Sequence, residues 1–226
     1  MGAAHPTRRP KDAGLKVQIN DQLANTTLDE MMAEIDEDRT NMHPSVTDLT
    51  RCLTQTYLNR HQKANFTRQT KNFFLIGLGL ERALLVARKK EETYGENLGI
   101  HYHVDSRDEG LFELKSTRAS KKKMDEGDFP ESWLKQTMSY LNLIGGNTVD
   151  LGVVFLIPAQ FEVYRLTFEQ RELEENLMWL LSRRDEYNRA VETGVPPETY
   201  KWNQEYECKN CQYSIVCQLR SGLGVR

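Results

Sequence analysis

Two acidic residues and a lysine cluster near the middle of the chain: Asp105, then Glu113-Leu114-Lys115. Side chains alternate along a strand, so a strand through 111–117 puts Glu113 and Lys115 on one face. A turn at Asp108-Glu109-Gly110 would fold a preceding strand, about 99–106, back as a hairpin and bring Asp105 beside them. Paired carboxylates make a hard oxygen site suited to Mg²⁺ or Mn²⁺. Such an ion lowers the pKa of a bound water and stabilises charge developing on a phosphate. A neighbouring lysine can orient that water or neutralise the transition state. The Glu-x-Lys triplet alone arises by chance in a chain this long, and a solvated ion pair on a strand is its plain alternative.

Further residues join this set. Glu81 is the only acid in the apolar run at 73–87, FFLIGLGLERALLVA. Buried there, its carboxylate must ligate a metal or pair, with Arg82 for example, unless the helix turns it to solvent. Gln136 and Tyr140 stand four residues apart on one helix face. Arg118 and Lys121-Lys122-Lys123 follow the Glu-x-Lys strand and can grip phosphates, or form a solvated loop. Trp133 could stack on a base, or simply fill the core. His101 and His103 share strand parity with Asp105 and read as sheet-surface residues.

All four cysteines fit a metal site. Cys208-x2-Cys211-x5-Cys217 has ligand spacing, and Cys52 supplies a fourth thiolate. Four thiolates suit tetrahedral Zn²⁺ or an iron–sulfur cluster, and spacing does not choose between them.

The elements that must position these groups follow from local signals. Residues 1–26 are polar and weakly patterned, an arm that precedes an acidic helix at about 28–38 opened by a Thr27/Glu30 capping box. Ser45 caps a helix to about residue 59, with Val46, Leu49, Leu53 and Tyr57 at helical spacing. The 73–87 run reads as a helix buried nearly all round, with Gly77 and Gly79 packed against another backbone. A helix at 130–144 stops at Gly145-Gly146, a doubly buried strand spans 150–158, and a half-buried partner spans 161–168. A long helix covers 169–193, and the final thirty residues are turn-rich. This order predicts an α/β or α+β domain with a mixed central sheet, residues 41–226, behind an arm at 1–40.

The chain has 226 residues, 38% hydrophobic and 28% charged, a composition that suits a folded domain. Its net charge of −3 offers no global attraction to nucleic acid, so DNA binding would need a local basic patch. No apolar run approaches the roughly 20 residues of a membrane span. Residues 1–10 lack a signal-peptide core, and Pro6 occupies the place a myristoylation site reserves for Ser or Thr. The expectation is a cytoplasmic protein whose thiols serve metal chemistry rather than disulfides.

The ordered series Gly77-x3-Glu81, Asp105, Glu113-x-Lys115 and Gln136-x3-Tyr140 resembles the motifs of RecB-like nucleases in the PD-(D/E)XK superfamily. The resemblance implies a restriction-endonuclease-like core. It makes Glu81, Asp105 and Glu113 the metal ligands, Lys115 the catalytic lysine, and Gln136 and Tyr140 the residues that place Lys115 and the DNA. Two positions depart from the family pattern. Glu81 stands where His is usual, and Tyr102 replaces a Gly that often precedes the Asp by three residues.

One cysteine ahead of this core and three behind it, over residues 43–220, resembles the iron–sulfur branch, which includes the CRISPR-associated RecB-like exonucleases. That branch carries a 4Fe-4S cluster, here implied on Cys52, Cys208, Cys211 and Cys217. It implies single-stranded DNA as substrate, cut from the 5′ end, with a role in acquiring CRISPR spacers beside integrase proteins. Phages carry stand-alone relatives. A non-catalytic DNA-binding or assembly subunit is the alternative from a different class.

Overall fold

The apolar run after Asp150 becomes the middle strand of a mixed sheet. In the computed structural model, which describes residues 20–36, 43–61, 66–88, 93–107, 110–197, 208 and 211–222, β3 (Leu111–Thr117) pairs in parallel with β4 (Thr148–Leu156). The strand β5 (Ala159–Thr167) returns antiparallel on β4. A parallel pair needs a crossover. Here it is α5 (Lys121–Asp125) and α6 (Glu131–Ile144), the latter opened by Pro130 and closed by Gly145 in a positive-φ conformation.

Val149, Leu151, Val153 and Phe155 point to one face and are essentially inaccessible. Met124, Phe129 and Trp133 pack over the β4 end of that face. On the other face a Cβ on Gly152 would come within 2.7 Å of Phe112 Cζ, so only glycine fits. The β5 strand is more open than its alternation predicts: Tyr164 and Leu166 are half-buried, but Phe161 and Val163 are exposed.

The expected hairpin between 99–106 and 111–117 is corrected. Instead β2 (Ile100–Val104) pairs antiparallel with β1 (Thr93–Asn97) across Leu98-Gly99, both at positive φ as a two-residue hairpin turn requires. β1, with the sequence TYGEN, carries no apolar alternation to announce it. A single antiparallel bridge, Ser106 with Phe112, is what joins β2 to β3. Asp108 and Glu109 of the predicted turn lie outside the described residues.

The first helix, α1 (Asp21–Asp36), starts before the predicted Thr27. Asn20 is its cap, accepting from the Leu23 N–H at 3.0 Å, while Thr27 Oγ1 donates back to Leu23 O inside the helix. It packs on α4 (Arg68–Arg88) through Asp21–Arg68 and Asp29–Lys71 ion pairs. Of the predicted arm, residues 1–19 lie outside the described set.

The α4 helix is not buried all round. Phe73 and Leu75 are 39% and 46% exposed, and among the described residues nothing from another element lies within 4 Å of a Cβ built on Gly77 or Gly79. Apolar richness does not mean burial here, because this helix rests on α1 and β3 and leaves another side open.

The single helix predicted from Ser45 is two. Ser45 caps α2 (Val46–Thr50) with a full capping box to Asp48, and α3 (Leu53–His61) follows. The break at Arg51-Cys52 has a tertiary cause. Arg183 of α7 (Gln170–Thr193), itself only 5% exposed, donates to Leu49 O and Arg51 O, satisfying the carbonyls where α2 ends. The turn-rich tail contains a further helix, α8 (Ser214–Gly222). Among the described residues no helix is long and apolar enough to cross a membrane.

Candidate active site

Asp105 comes directly after β2, and the Ser106–Phe112 bridge sets it against β3. The Leu114 N–H donates to Asp105 Oδ2 at 2.6 Å. Glu113 and Lys115 project from the same face of β3, opposite Leu151 and Val153 in the register. Lys115 Nζ donates to Glu113 Oε1 at 2.5 Å and to Gln136 Oε1 at 2.8 Å. Gln136 lies one helical turn before Tyr140 on α6, and its Nε2 donates to the Tyr140 hydroxyl at 2.9 Å and to Thr47 Oγ1 at 3.3 Å. Strand parity and the i, i+4 helix spacing thus bring together five of the residues singled out in the sequence.

Burial sets the electrostatics. Glu113 is 4% exposed, and its Oε2 has no hydrogen-bond partner among the described residues. Desolvation pushes its carboxyl up to about 7; Lys115 opposes this and the nearby Asp105 charge adds to it. Tyr140 is held well above the usual phenol range, first by burial and then by the Glu113 charge. A half-paired carboxyl in a dry site is a poor anion unless a cation joins it.

These groups line a cavity of about 970 Å³. Glu81 reaches it from α4, half-buried rather than fully buried as predicted. Among the described residues no group of three or more His, Cys, Asp or Glu side chains is arranged to hold a metal ion as it stands. Asp105 and Glu113 are the adjacent pair, with Asp105 Oδ2 on the Leu114 N–H and Glu113 Oε1 on Lys115.

The cavity wall also contains residues that sequence reasoning missed: Thr47, Arg51 and Arg68. Nothing local marks them, since their place depends on how α2 and α4 pack. His103, set aside as a surface residue, lines the wall and stacks on Tyr94 with centroids 4.2 Å apart. Trp133 is on the wall too, and packs on the sheet core.

The basic cluster is placed differently. Lys121 pairs with Asp125 and Glu162, Lys122 lies 3.8 Å from Glu126, and Lys123 lies 3.8 Å from Asp128. None of the three lines the cavity. They form the short α5, where acids close in sequence take up their charge. Arg118 also stays off the wall, with its guanidinium over the ring of Phe73, which is on it.

Cys52 sits in the break between α2 and α3, and Cys217 is on α8. All four cysteines are half-buried and none forms a disulfide. The tail is tied to α3 and the segment after α7: Gln212 donates to Asn59 Oδ1, Arg220 to Pro196 O, and Thr54 to Pro197 O. Burial raises the Cys211 thiol; the Tyr213 N–H on its sulfur, at 3.4 Å, offsets this in part, and Cys217, Cys52 and Cys208 raise it further. The other three thiols therefore lie within electrostatic reach of Cys211. Cys52 and Cys211 also line the cavity that holds Glu113 and Lys115.

No protein-family model matches the chain, and no curated protein matches it either. Among solved structures, the crystal structure of SSO0001 matches with a TM-score of 0.54 at 18% identity, over 89% of this chain and 96% of that one. The chain shares its fold with SSO0001. Two further similar structures are of LHK-Exo, an alkaline exonuclease from Laribacter hongkongensis. One has a TM-score of 0.48 at 15% identity, over 67% of this chain and 90% of that one. The other, a complex with dAMP, has a TM-score of 0.41 at 15% identity, over 66% and 93%. The fold match to SSO0001 agrees with an α+β domain whose mixed sheet is flanked by helices.

Proposed function

We propose that this chain is a divalent-metal-dependent DNA nuclease of the PD-(D/E)XK type that hydrolyses phosphodiester bonds. The observation that carries the reading is the state of Glu113. It is a buried carboxyl pushed up to about 7, with one oxygen on Lys115 and the other without a hydrogen bond among the described residues, on the wall of a polar cavity. Such a group calls for a hard cation. Asp105 and Glu113 would hold it, with Glu81 on the same wall. When bound, Mg²⁺ or Mn²⁺ supplies an acidified water and charge neutralisation on a phosphate.

The chain's own groups do the rest. Lys115 brings a fixed positive charge to the carboxylates, and Gln136 sets its direction. Tyr140 stays neutral and holds the Gln136 amide. Arg51 and Arg68, the second also paired with Asp21, line the wall along which the DNA backbone would run, while Phe73 and Trp133 offer faces to bases. Only separated bases expose such faces, which supports single-stranded DNA as substrate; 5′-to-3′ exonuclease action follows from the family resemblance.

The same reading gives Cys52, Cys208, Cys211 and Cys217 a 4Fe-4S cluster, supported by their electrostatic proximity and by a tail bonded to α3. A cytoplasmic setting in CRISPR adaptation or phage recombination, beside integrase proteins in the first case, belongs to this proposal through the resemblance.

The test is anaerobically purified protein on end-labelled single- and double-stranded DNA with Mg²⁺ or Mn²⁺. Wild type degrades the single strand, and Lys115→Ala is slower by at least about 100-fold, the scale of losing one preorganised charge-stabilising group. Equal rates for the two proteins would refute the catalytic reading. A preparation that contains zinc and no iron would refute the cluster.

A further inference from the structure

A side-chain amide can turn over, exchanging its oxygen for its NH₂. For Gln136 that exchange matters, because Lys115 carries only donors and needs the amide oxygen facing it. What fixes the amide is therefore part of what fixes Lys115. Two oxygens receive Nε2: the Tyr140 hydroxyl and Thr47 Oγ1. Tyr140 lies on α6 with Gln136 and moves with it. Thr47 is on α2, a different element.

The α2 helix is an unusually well-held support for its five residues. Ser45 and Asp48 close its start, and Arg60 donates to Asp48 Oδ2 at 3.0 Å. Arg183 holds its end. Val46 and Leu49 are fully buried beneath it, which leaves Thr47 on the side that faces the cavity.

We propose that Thr47 is a positioning residue of the nuclease reaction, anchoring the Gln136 amide from α2 so that it stays within reach of Lys115. This rests on the nuclease reading above. Thr47→Val keeps the shape and removes the hydroxyl. Its kcat should fall about tenfold, the scale of one neutral hydrogen bond, with KM for single-stranded DNA and the Mn²⁺ dependence unchanged. Thr47→Ser should restore kcat, since it returns the oxygen without the methyl. Added to Gln136→Ala, Thr47→Val should cost nothing more, because the two act through one contact.

Cleavage assays on these four variants, Lys115→Ala and wild type, with melting curves for each, decide the matter. A wild-type kcat in Thr47→Val overturns the proposal. So does a serine variant as slow as the valine one, an additive loss in the double variant, or a kcat loss matched by a lowered melting temperature. If wild type itself shows no metal-dependent cleavage, or cleaves no faster than Lys115→Ala, the nuclease reading fails and this proposal falls with it.

Discussion

Replacing Glu113 with glutamine should make the metal-free protein more stable at alkaline pH. In the fold the carboxyl is pushed from 4.5 up to about 7, chiefly by burial. A folded-state pKa above the unfolded value means the native state holds this proton more tightly. Below about 4.5 both states are protonated and the site is neutral in its effect. Between there and 7 the native state loses stability as pH rises, and above 7 the penalty is complete. A shift of this size corresponds to about 3 kcal/mol, at 1.36 kcal/mol for each pKa unit. Glutamine copies the protonated carboxyl and still accepts from Lys115, so it carries no such penalty. Urea melts in chelator from pH 4.5 to 8.5 should therefore start together and diverge by up to about 3 kcal/mol in favour of Glu113→Gln. Mn²⁺ at pH 8 should then raise wild type far more than the variant, since it neutralises a charge only wild type has. Parallel pH profiles in chelator would refute the claim that Glu113 is held in a dry, half-paired state.

Other perturbations test separate parts of the fold. Cys208→Ala should lower the melting temperature and the soluble yield if the cysteines share a cluster. Closing the 155 residues between Cys52 and Cys208 contributes at most about 5 kcal/mol by loop entropy, and an unchanged melt refutes the shared cluster. Arg183→Ala strips two carbonyls at the end of α2 of their donor and should cost about 3 kcal/mol in a denaturant melt. Gly152→Ala drives a methyl into the Phe112 ring and should cost about 1–3 kcal/mol, with loss of the near-ultraviolet circular dichroism of the packed aromatic.

What the sequence made legible was whatever local periodicity encodes. Glu113 and Lys115 share a face because strands alternate, and Gln136 reaches Tyr140 because helices turn every 3.6 residues. The capping box at Ser45 and the stop at Gly145 are local in the same sense. The pairing of the basic cluster with nearby acids was legible too. In KKKMDEGD, Asp125 and Glu126 follow Lys121 and Lys122 by four residues, the spacing at which helical charges cancel.

The features that escaped depend on partners far away in the chain. No window around Ser45 reveals that α2 stops at Thr50, because the groups that relieve its last carbonyls belong to Arg183, more than 130 residues later. The same holds for Thr47, whose neighbour Gln136 is 89 residues off. These two misses have one origin. Ending α2 early puts Cys52 in a break rather than mid-helix, and packing its apolar side on the core turns Thr47 to the cavity. A five-residue helix has too few internal hydrogen bonds to stand alone. Its geometry is imposed by what surrounds it, so the side chains that depend on it are specified by tertiary contacts. The pairing of Glu113 with Lys115 comes from the strand pattern, whereas the contact that steadies the lysine comes from the whole fold.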